Sequence, residues 1–386
     1  MNPSPSPAAT RLQRLESYLR QDPANPALLA EACEAAMTAG QHERALAHIA
    51  TAEALALDPV GWTFRRASVC IAQKDLDQAD ALLRRLQQTG EHPAIAHDLA
   101  YVAFLRGDPA AARDLVQPWL ARAQGVEAAQ LEALQILWLR STHRLHLLEQ
   151  AWAWLGTNAA AGTLQPRALG PASLIAVDCS QFEAALAWAD AALRVDPGQV
   201  EALAARAYVA MAQQQPAVAV TLLEQALRGN PEDGRTWSAL GYASLQMQDL
   251  PLARSRLERA VQLVPQHVGT WHALGWTRLL QEDIAGALDA FRQALGRDRN
   301  FAESHGALGL ALALSGDRVQ AEHHLQVAQR LDPGNVTGRY ARAVLAEEAS
   351  DPARLAQLAG RLLDRPGFFG GKLSDAVTRR APGPSA

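Results

Sequence analysis

The sequence predicts an all-α chain built as a solenoid of antiparallel helix pairs, and three observations carry that expectation. One stretch, GRTWSALGYASLQMQDLPLARSRLERAVQLVPQH (residues 234–267), recurs in pattern at steps of thirty-four residues on both sides. Within each copy, large apolar residues at helical spacing face small ones at matching spacing, as two packed helices require. The composition, 49% hydrophobic, 20% charged and only 5% aromatic, favours close helices over a sheet-rich domain.

In that stretch Trp237, Leu240 and Gly241 share one face of a first helix, and Ala253, Leu257 and Ala260 share one face of a second. Gly241 and Ala253 mark the closest backbone approach. Asp249 stands as the N-cap of the second helix and Pro251 just inside it, where a missing N–H costs little; Pro265 stops the unit. One period on come Trp271, Leu274, Gly275, Ala287, Phe291 and Ala294, and another gives Leu308, Gly309, Ala321, Leu325, Ala328 and Pro333. Backwards, the same step gives Ala219, Leu223, Ala226 and Pro231, then Ala185, Ala189, Ala192 and Pro197. Five units therefore stand in one register over residues 166–335 without an insertion.

This pattern resembles the tetratricopeptide repeat (TPR) family, whose repeat of about 34 residues begins with Trp, Leu and Gly and ends with Ala, an aromatic and Pro. The resemblance implies a right-handed superhelix whose first helices line a concave groove, and a role in binding other proteins. It does not choose among the many functions such arrays serve.

In chain order, residues 1–10, rich in Pro and Ser, read as a disordered leader, followed by a short helix over 11–20. Residues 11–155 form a degenerate N-terminal half. Leu29, Gly40, Ala45, Ile49 and Ala52 keep the pattern, but Pro59 arrives two residues late, which predicts a lengthened second helix. Ala67, Ala79 and Leu83, then Leu99, Ala100, Gly107, Ala112 and Val116, keep it in the next two units. Residues 126–155 read as two helices joined by a turn over 141–144. The segment 156–165, containing GTNAAAG, reads as a linker between halves. Residues 336–365 read as C-terminal capping helices with a wetter outer face, and 366–386 as a flexible tail.

A formal charge of −4 over 386 residues, with no Lys/Arg cluster, argues against nucleic acid as a partner. No run approaches the roughly 18 apolar residues of a membrane span, and the N-terminus lacks the apolar core of a signal peptide, so no membrane insertion and a cytoplasmic location are expected. Cys33, Cys70 and Cys179 are widely spaced without a C-x-x-C pair, which suits a reducing compartment.

The resemblance places groove-facing positions on the first helix of each pair. The ninth positions are Leu174, Tyr208, Tyr242, Trp276 and Leu310, and the twelfth are Val177, Met211, Leu245, Leu279 and Ala313. They form an apolar lane with a central aromatic ladder, suited to an amphipathic helix or an extended peptide with apolar anchors. The expected partner-binding groove is Tyr208, Met211, Arg235, Tyr242, Leu245, His272, Trp276 and Leu279, with Arg235 and His272 as polar selectors; Tyr101 and Phe104 form a secondary groove. The alternative is that these side chains pack mainly against the adjacent repeat. The Lys and Asn of carboxylate-gripping TPR domains are missing, the fifth positions being Gly170, Ala204, Ser238, His272 and Gly306.

No catalytic motif occurs, and neither cofactor nor metal is expected. His143 and His146, three apart on an expected helix, and His323 and His324 have no supporting carboxylate or Cys; His272 and His305, from adjacent repeats, could meet in the groove as a pH-sensitive contact, the favoured alternative being a spectator role. Trp152 and Trp154, two apart, cannot share one helix face, and with Trp138 they mark packing or a contact near the linker. The sequence thus predicts a non-catalytic interaction scaffold or chaperone-like adaptor holding an apolar peptide or helix of another protein. The alternatives are an accessory subunit that positions an enzyme, or self-assembly into a homo-oligomer.

Overall fold

The computed structural model describes residues 6–122 and 125–346. The described residues form twenty α-helices and one 3₁₀ turn, with no strand among them. The chain is an all-α solenoid of helix pairs that divides into two compact units, Met1–Ala168 and Leu169–Ala386.

The first unit contains α1 (Pro7–Leu19), α2 (Pro26–Thr38), α3 (His42–Ala54), α4 (Pro59–Ala72), α5 (Leu76–Gln87), α6 (Pro93–Leu105), α7 (Pro109–Ala121), α8 (Ala128–Arg144) and α9 (Leu148–Ala160), ending in the 3₁₀ turn Pro166–Ala168. Helix α1 begins before Arg11 because the Ser6 hydroxyl accepts from the Ala9 N–H at 3.2 Å, so the expected leader is already helical from Pro7; residues 1–5 lie outside the described residues. The late Pro59 does not lengthen α3. The extra residues sit in the turn, where Ala56 and Asp58 take positive φ of 53° and 24°.

The expected turn over 141–144 is also corrected. Helix α8 continues through Arg144, and the chain reverses at His146 with φ 56°, so His143 and His146 do not share a helix. The expected linker 156–165 is half helix, since α9 runs to Ala160. The rest is pinned by the buried Gln135, which donates to the Thr163 carbonyl at 2.9 Å and accepts from the Gln165 N–H at 2.9 Å. Trp138 is buried with its ring 4.6 Å from that of Trp154, while Trp152 and Trp154 are both half-buried.

The second unit contains α10 (Leu169–Asp178), α11 (Phe182–Val195), α12 (Val200–Ala212), α13 (Pro216–Gly229), α14 (Gly234–Gln246), α15 (Leu250–Leu263), α16 (Val268–Leu280), α17 (Ile284–Arg297), α18 (Ala302–Leu314), α19 (Arg318–Leu331) and α20 (Val336–Leu345). Five successive pairs, α10/α11 to α18/α19, occupy the repeating register. Each late second helix starts on an aspartate cap. Asp249, Asp283 and Asp317 accept from the N–H groups of Leu252, Gly286 and Gln320 at 3.1, 2.9 and 3.1 Å, satisfying donors that helix geometry leaves open.

The pairs close by fitting a large residue over a glycine. A Cβ added at Gly241 would lie 2.5 Å from Leu257, at Gly275 2.5 Å from Phe291, and at Gly309 2.7 Å from Leu325. No side chain fits there without moving its neighbour. Leu257, Phe291 and Leu325, at 0–1% exposure, thus sit against bare backbone, and Ala253, Ala287 and Ala321 keep the opposite approach equally close. Helix α20, at the start of the expected capping segment, packs on α18 and α19; residues 347–365 and the expected tail 366–386 lie outside the described residues.

Two predictions follow from the pair geometry. Gly275→Ala overpacks the α16/α17 contact and is expected to lower stability by about 1–3 kcal/mol, read as a lower urea midpoint at unchanged m-value. Gln248 and Glu282 occupy the left-handed turn with φ of 61° and 64°. Gln248→Gly with Glu282→Gly should therefore raise the midpoint, by about 1 kcal/mol per site at most, because glycine adopts this conformation without steric cost.

Candidate interaction surface

The first helices of the second unit carry the expected lane, and its members differ in what they present. Tyr208, Tyr242, Leu245, Trp276 and Leu279 are half-buried and Arg235 is exposed. Trp276 stands edge-on to Phe291, ring centres 5.6 Å apart, and with Leu279 packs against the buried Leu308, Leu310 and Ala311 of α18. Leu245 packs against Leu274 and Ala273 of α16. Each lane residue therefore rests on the following pair and keeps a remaining apolar surface.

Met211 and His272 are corrections to that lane. Met211 is fully buried among Ala239, Leu240 and Ala243 of α14 and presents no surface to a partner. His272 is 7% exposed. Its Nε2 lies 2.7 Å from the Ser304 hydroxyl, and its ring lies between Phe291 and Phe301 with centres 5.8 and 5.5 Å away. Burial pushes its pKa down to about 4, so it is a neutral bridge between pairs and not a polar selector.

The polar tips of the aromatic ladder are also held inside. The Tyr242 hydroxyl donates to the Gly269 carbonyl at 2.8 Å. Burial pushes its phenol far up, and pushes that of Tyr208 up to about 12, with the Asp233 carboxylate adding to the latter. In the first unit Tyr101 stacks on His97 with ring centres 6.2 Å apart, and the Arg144 guanidinium lies 5.0 Å over the Phe104 ring. The secondary pair is thus dressed by neighbours.

A set of residues the sequence reading did not single out ties successive pairs together. Ser238 and Thr270 share a hydrogen bond of 2.8 Å, His272 and Ser304 repeat it one pair later, and Thr337 and Asn335 donate to Glu303 at 2.6 and 3.0 Å. In the first two contacts the fifth position of one first helix meets the third position of the next; in the last a second position, Glu303, takes that part. The signal in the sequence is Thr236, Thr270 and Ser304, three small hydroxyl residues thirty-four apart.

His272 and His305 do not meet. His305 stands where Trp237 and Trp271 stand, and it keeps their bond. The two indoles donate to the Pro231 and Pro265 carbonyls at 2.8 Å each, and His305 Nε2 donates to the Arg299 carbonyl at 3.1 Å. That tautomer leaves His305 Nδ1 to accept from His324 Nδ1 at 3.0 Å. Burial, then the neighbouring His305, His323 and Arg292, lower the His324 pKa to about 4. Among the described residues no group of three or more His, Cys, Asp or Glu is arranged to hold a metal ion. None of their helices is long and apolar enough to cross a membrane.

The described repeats coincide with a family match. The tetratricopeptide repeat family model matches residues 204–268 and 272–336, so this part of the second unit consists of TPR repeats. Among solved structures, PilF of Pseudomonas aeruginosa is 22% identical, covering 55% of this chain and 95% of its own with a TM-score of 0.44. YrrB, described as a TPR protein with an unusual peptide-binding site, is 22% identical over 50% of this chain and 98% of its own, TM-score 0.39. MamA is 20% identical over 41% of this chain and 92% of its own, TM-score 0.38. With TM-scores below 0.5, these are resemblances only. No curated protein matches the chain.

The buried neutral His272 gives a pH prediction. Its folded pKa, about 4, lies below the ordinary 6.5. Above pH 6.5 neither state binds the proton and the stability is complete; as pH falls toward 4 only the unfolded chain takes it up. Stability is then lost at up to about 1.4 kcal/mol per pH unit. His324 shifts in the same direction, so the measurement is a difference. Between pH 6.5 and 4 the parent's urea midpoint should fall more steeply than that of His272→Asn.

Proposed function

We propose that the second unit holds an apolar helix or extended peptide of another protein on the face lined by its first helices. Tyr208, Tyr242, Leu245, Trp276 and Leu279 are the contact surface, and Arg235 is its exposed charge. TPR repeats generally serve as non-catalytic protein–protein interaction scaffolds, and this is the role the fold suggests here. The observation that carries the finer reading is the lane itself. Its apolar side chains keep exposed surface while resting on the next pair, and the polar groups beside them are taken up by bonds between pairs. Such a surface is formed before the partner arrives, which lowers the ordering cost of binding, and it selects by shape and apolar contact.

The three cysteines are unpaired, and burial raises the pKa of each thiol. They are weak nucleophiles suited to a reducing compartment, which supports a cytoplasmic location. The net charge of −4 supports a protein partner over nucleic acid.

The test is affinity capture from a lysate of the source organism with the parent chain and with Leu245→Asp/Leu279→Asp, both half-buried positions of the lane. Partners held by the lane should be retained by the parent and lost at least tenfold, about 1.4 kcal/mol, from the variant at unchanged helix content. Equal retention by the folded variant contradicts the reading. One stoichiometric enzyme among the captured proteins would mark an accessory subunit, many clients a chaperone-like adaptor, and the chain itself a self-assembling scaffold.

A further inference from the structure

The step from α18 to α20 holds a carboxylate that the step from α14 to α16 lacks. Glu303, the second residue of α18, accepts from the Thr337 hydroxyl at 2.6 Å and from Asn335 Nδ2 at 3.0 Å. Asn335 is the N-cap of α20, and its Oδ1 accepts from the Gly338 N–H at 2.7 Å. One atom of the cap side chain closes the helix while the other donates to the carboxylate.

Two repeats earlier the same three places are Arg235, His267 and Gly269. His267 caps α16 as Asn335 caps α20, its Nδ1 accepting from the Thr270 N–H at 3.2 Å. That bond leaves the proton of the neutral imidazole on Nε2, the counterpart of the Asn335 amide donor. No bond among the described residues takes that proton up. Gly269 removes the side chain that Thr337 supplies. A Cβ there would lie 3.2 Å from His267 Cε1 and 3.5 Å from the Tyr242 hydroxyl oxygen, so the glycine leaves a recess between imidazole and phenol.

The recess is cationic where its counterpart is anionic. Arg235 stands in the place of Glu303, is exposed, and pairs with no carboxylate among the described residues, Glu201 of α12 and Asp233 included. Asp233 is held by the N–H and hydroxyl of Thr236, and Glu232 pairs with Arg259 at 3.7 Å. Burial, then the Arg235 charge, lowers the His267 pKa. The same charge opposes the burial and the Asp233 carboxylate that raise the Tyr208 pKa. The guanidinium is therefore within electrostatic reach of both the cap and the lane.

The geometry points to an aspartate or glutamate side chain of the partner in this recess, accepting from the Arg235 guanidinium and from His267 Nε2–H beside an apolar anchor seated on Tyr242. Such charge-assisted bonds are the strong ones. The inference rests on the lane of the proposed function, to which Tyr242 joins the recess by donating to the Gly269 carbonyl at 2.8 Å. The lane continues on both sides, through Tyr208 and through Trp276 and Leu279, so the carboxylate belongs to a side chain and not to a chain end. Second positions and a cap build the site, apart from the fifth positions that lack the carboxylate-gripping Lys.

The test is selection of short random peptides, displayed through their C-termini, on the full chain and on two variants. Arg235→Glu/His267→Asp reverses the charge and keeps a cap, aspartate being the cap of α14. Gly269→Glu supplies the carboxylate from within, glutamate being the second residue of α12 and α18. Peptides selected by the parent should carry apolar residues with Asp or Glu at a fixed offset, enriched at least tenfold over Asn or Gln. The charge-reversed chain should select Lys or Arg at that offset, and Gly269→Glu should keep the apolar residues and drop the acid, each at parent helix content. Apolar residues without an acid, or the same acid selected by the charge-reversed chain, overturns the inference and leaves the lane standing. Peptides without apolar preference overturn the lane, and this inference with it.

Discussion

The seating of a large side chain over a bare glycine is the constraint from which the second unit's geometry descends. Leu257 over Gly241, Phe291 over Gly275 and Leu325 over Gly309 set the separation of each helix pair. Because that fit recurs at one spacing, successive pairs adopt one relative placement. Only then do Ser238 and Thr270, or His272 and Ser304, come within hydrogen-bond distance. The inter-pair bonds are a consequence of the packing and in turn fix it, since a buried polar atom left without its partner costs about 1–3 kcal/mol.

This arrangement decides what the first-helix face offers. The groups best able to read a polar partner, the Tyr242 hydroxyl and the His272 imidazole, are turned inward and bonded to the next pair. What remains is apolar surface on Leu245, Trp276 and Leu279 with the Arg235 charge nearby. The same substitutional logic explains His305. It preserves the indole's bond to the carbonyl six residues back and fills the remaining space with His324, so an apparent cluster of chemistry is a variation on packing.

The fold was legible in the sequence because its determinants are local and repeated: glycine, leucine, alanine and an aspartate cap at fixed offsets. Boundaries were less legible where they depend on distant partners. Nothing near GTNAAAG announces that Gln135, some thirty residues earlier, pins the segment. The lane was legible as a set of positions but not as a surface. Met211, Leu245 and Leu279 occupy equivalent places, yet Met211 alone is fully buried among Ala239, Leu240 and Ala243, while Gln246 reaches back to its carbonyl. Exposure is set by the neighbouring pair, which a repeat pattern does not specify.

The central claim is that the face lined by α14, α16 and α18 is formed and rigid without a partner. Amide hydrogen exchange of the free chain tests it most directly. The account predicts slow exchange of similar rate across these three helices, approaching the global unfolding limit around Gly241, Gly275 and Gly309. Fast exchange confined to these helices, with protection in α15 and α17 intact, would contradict it.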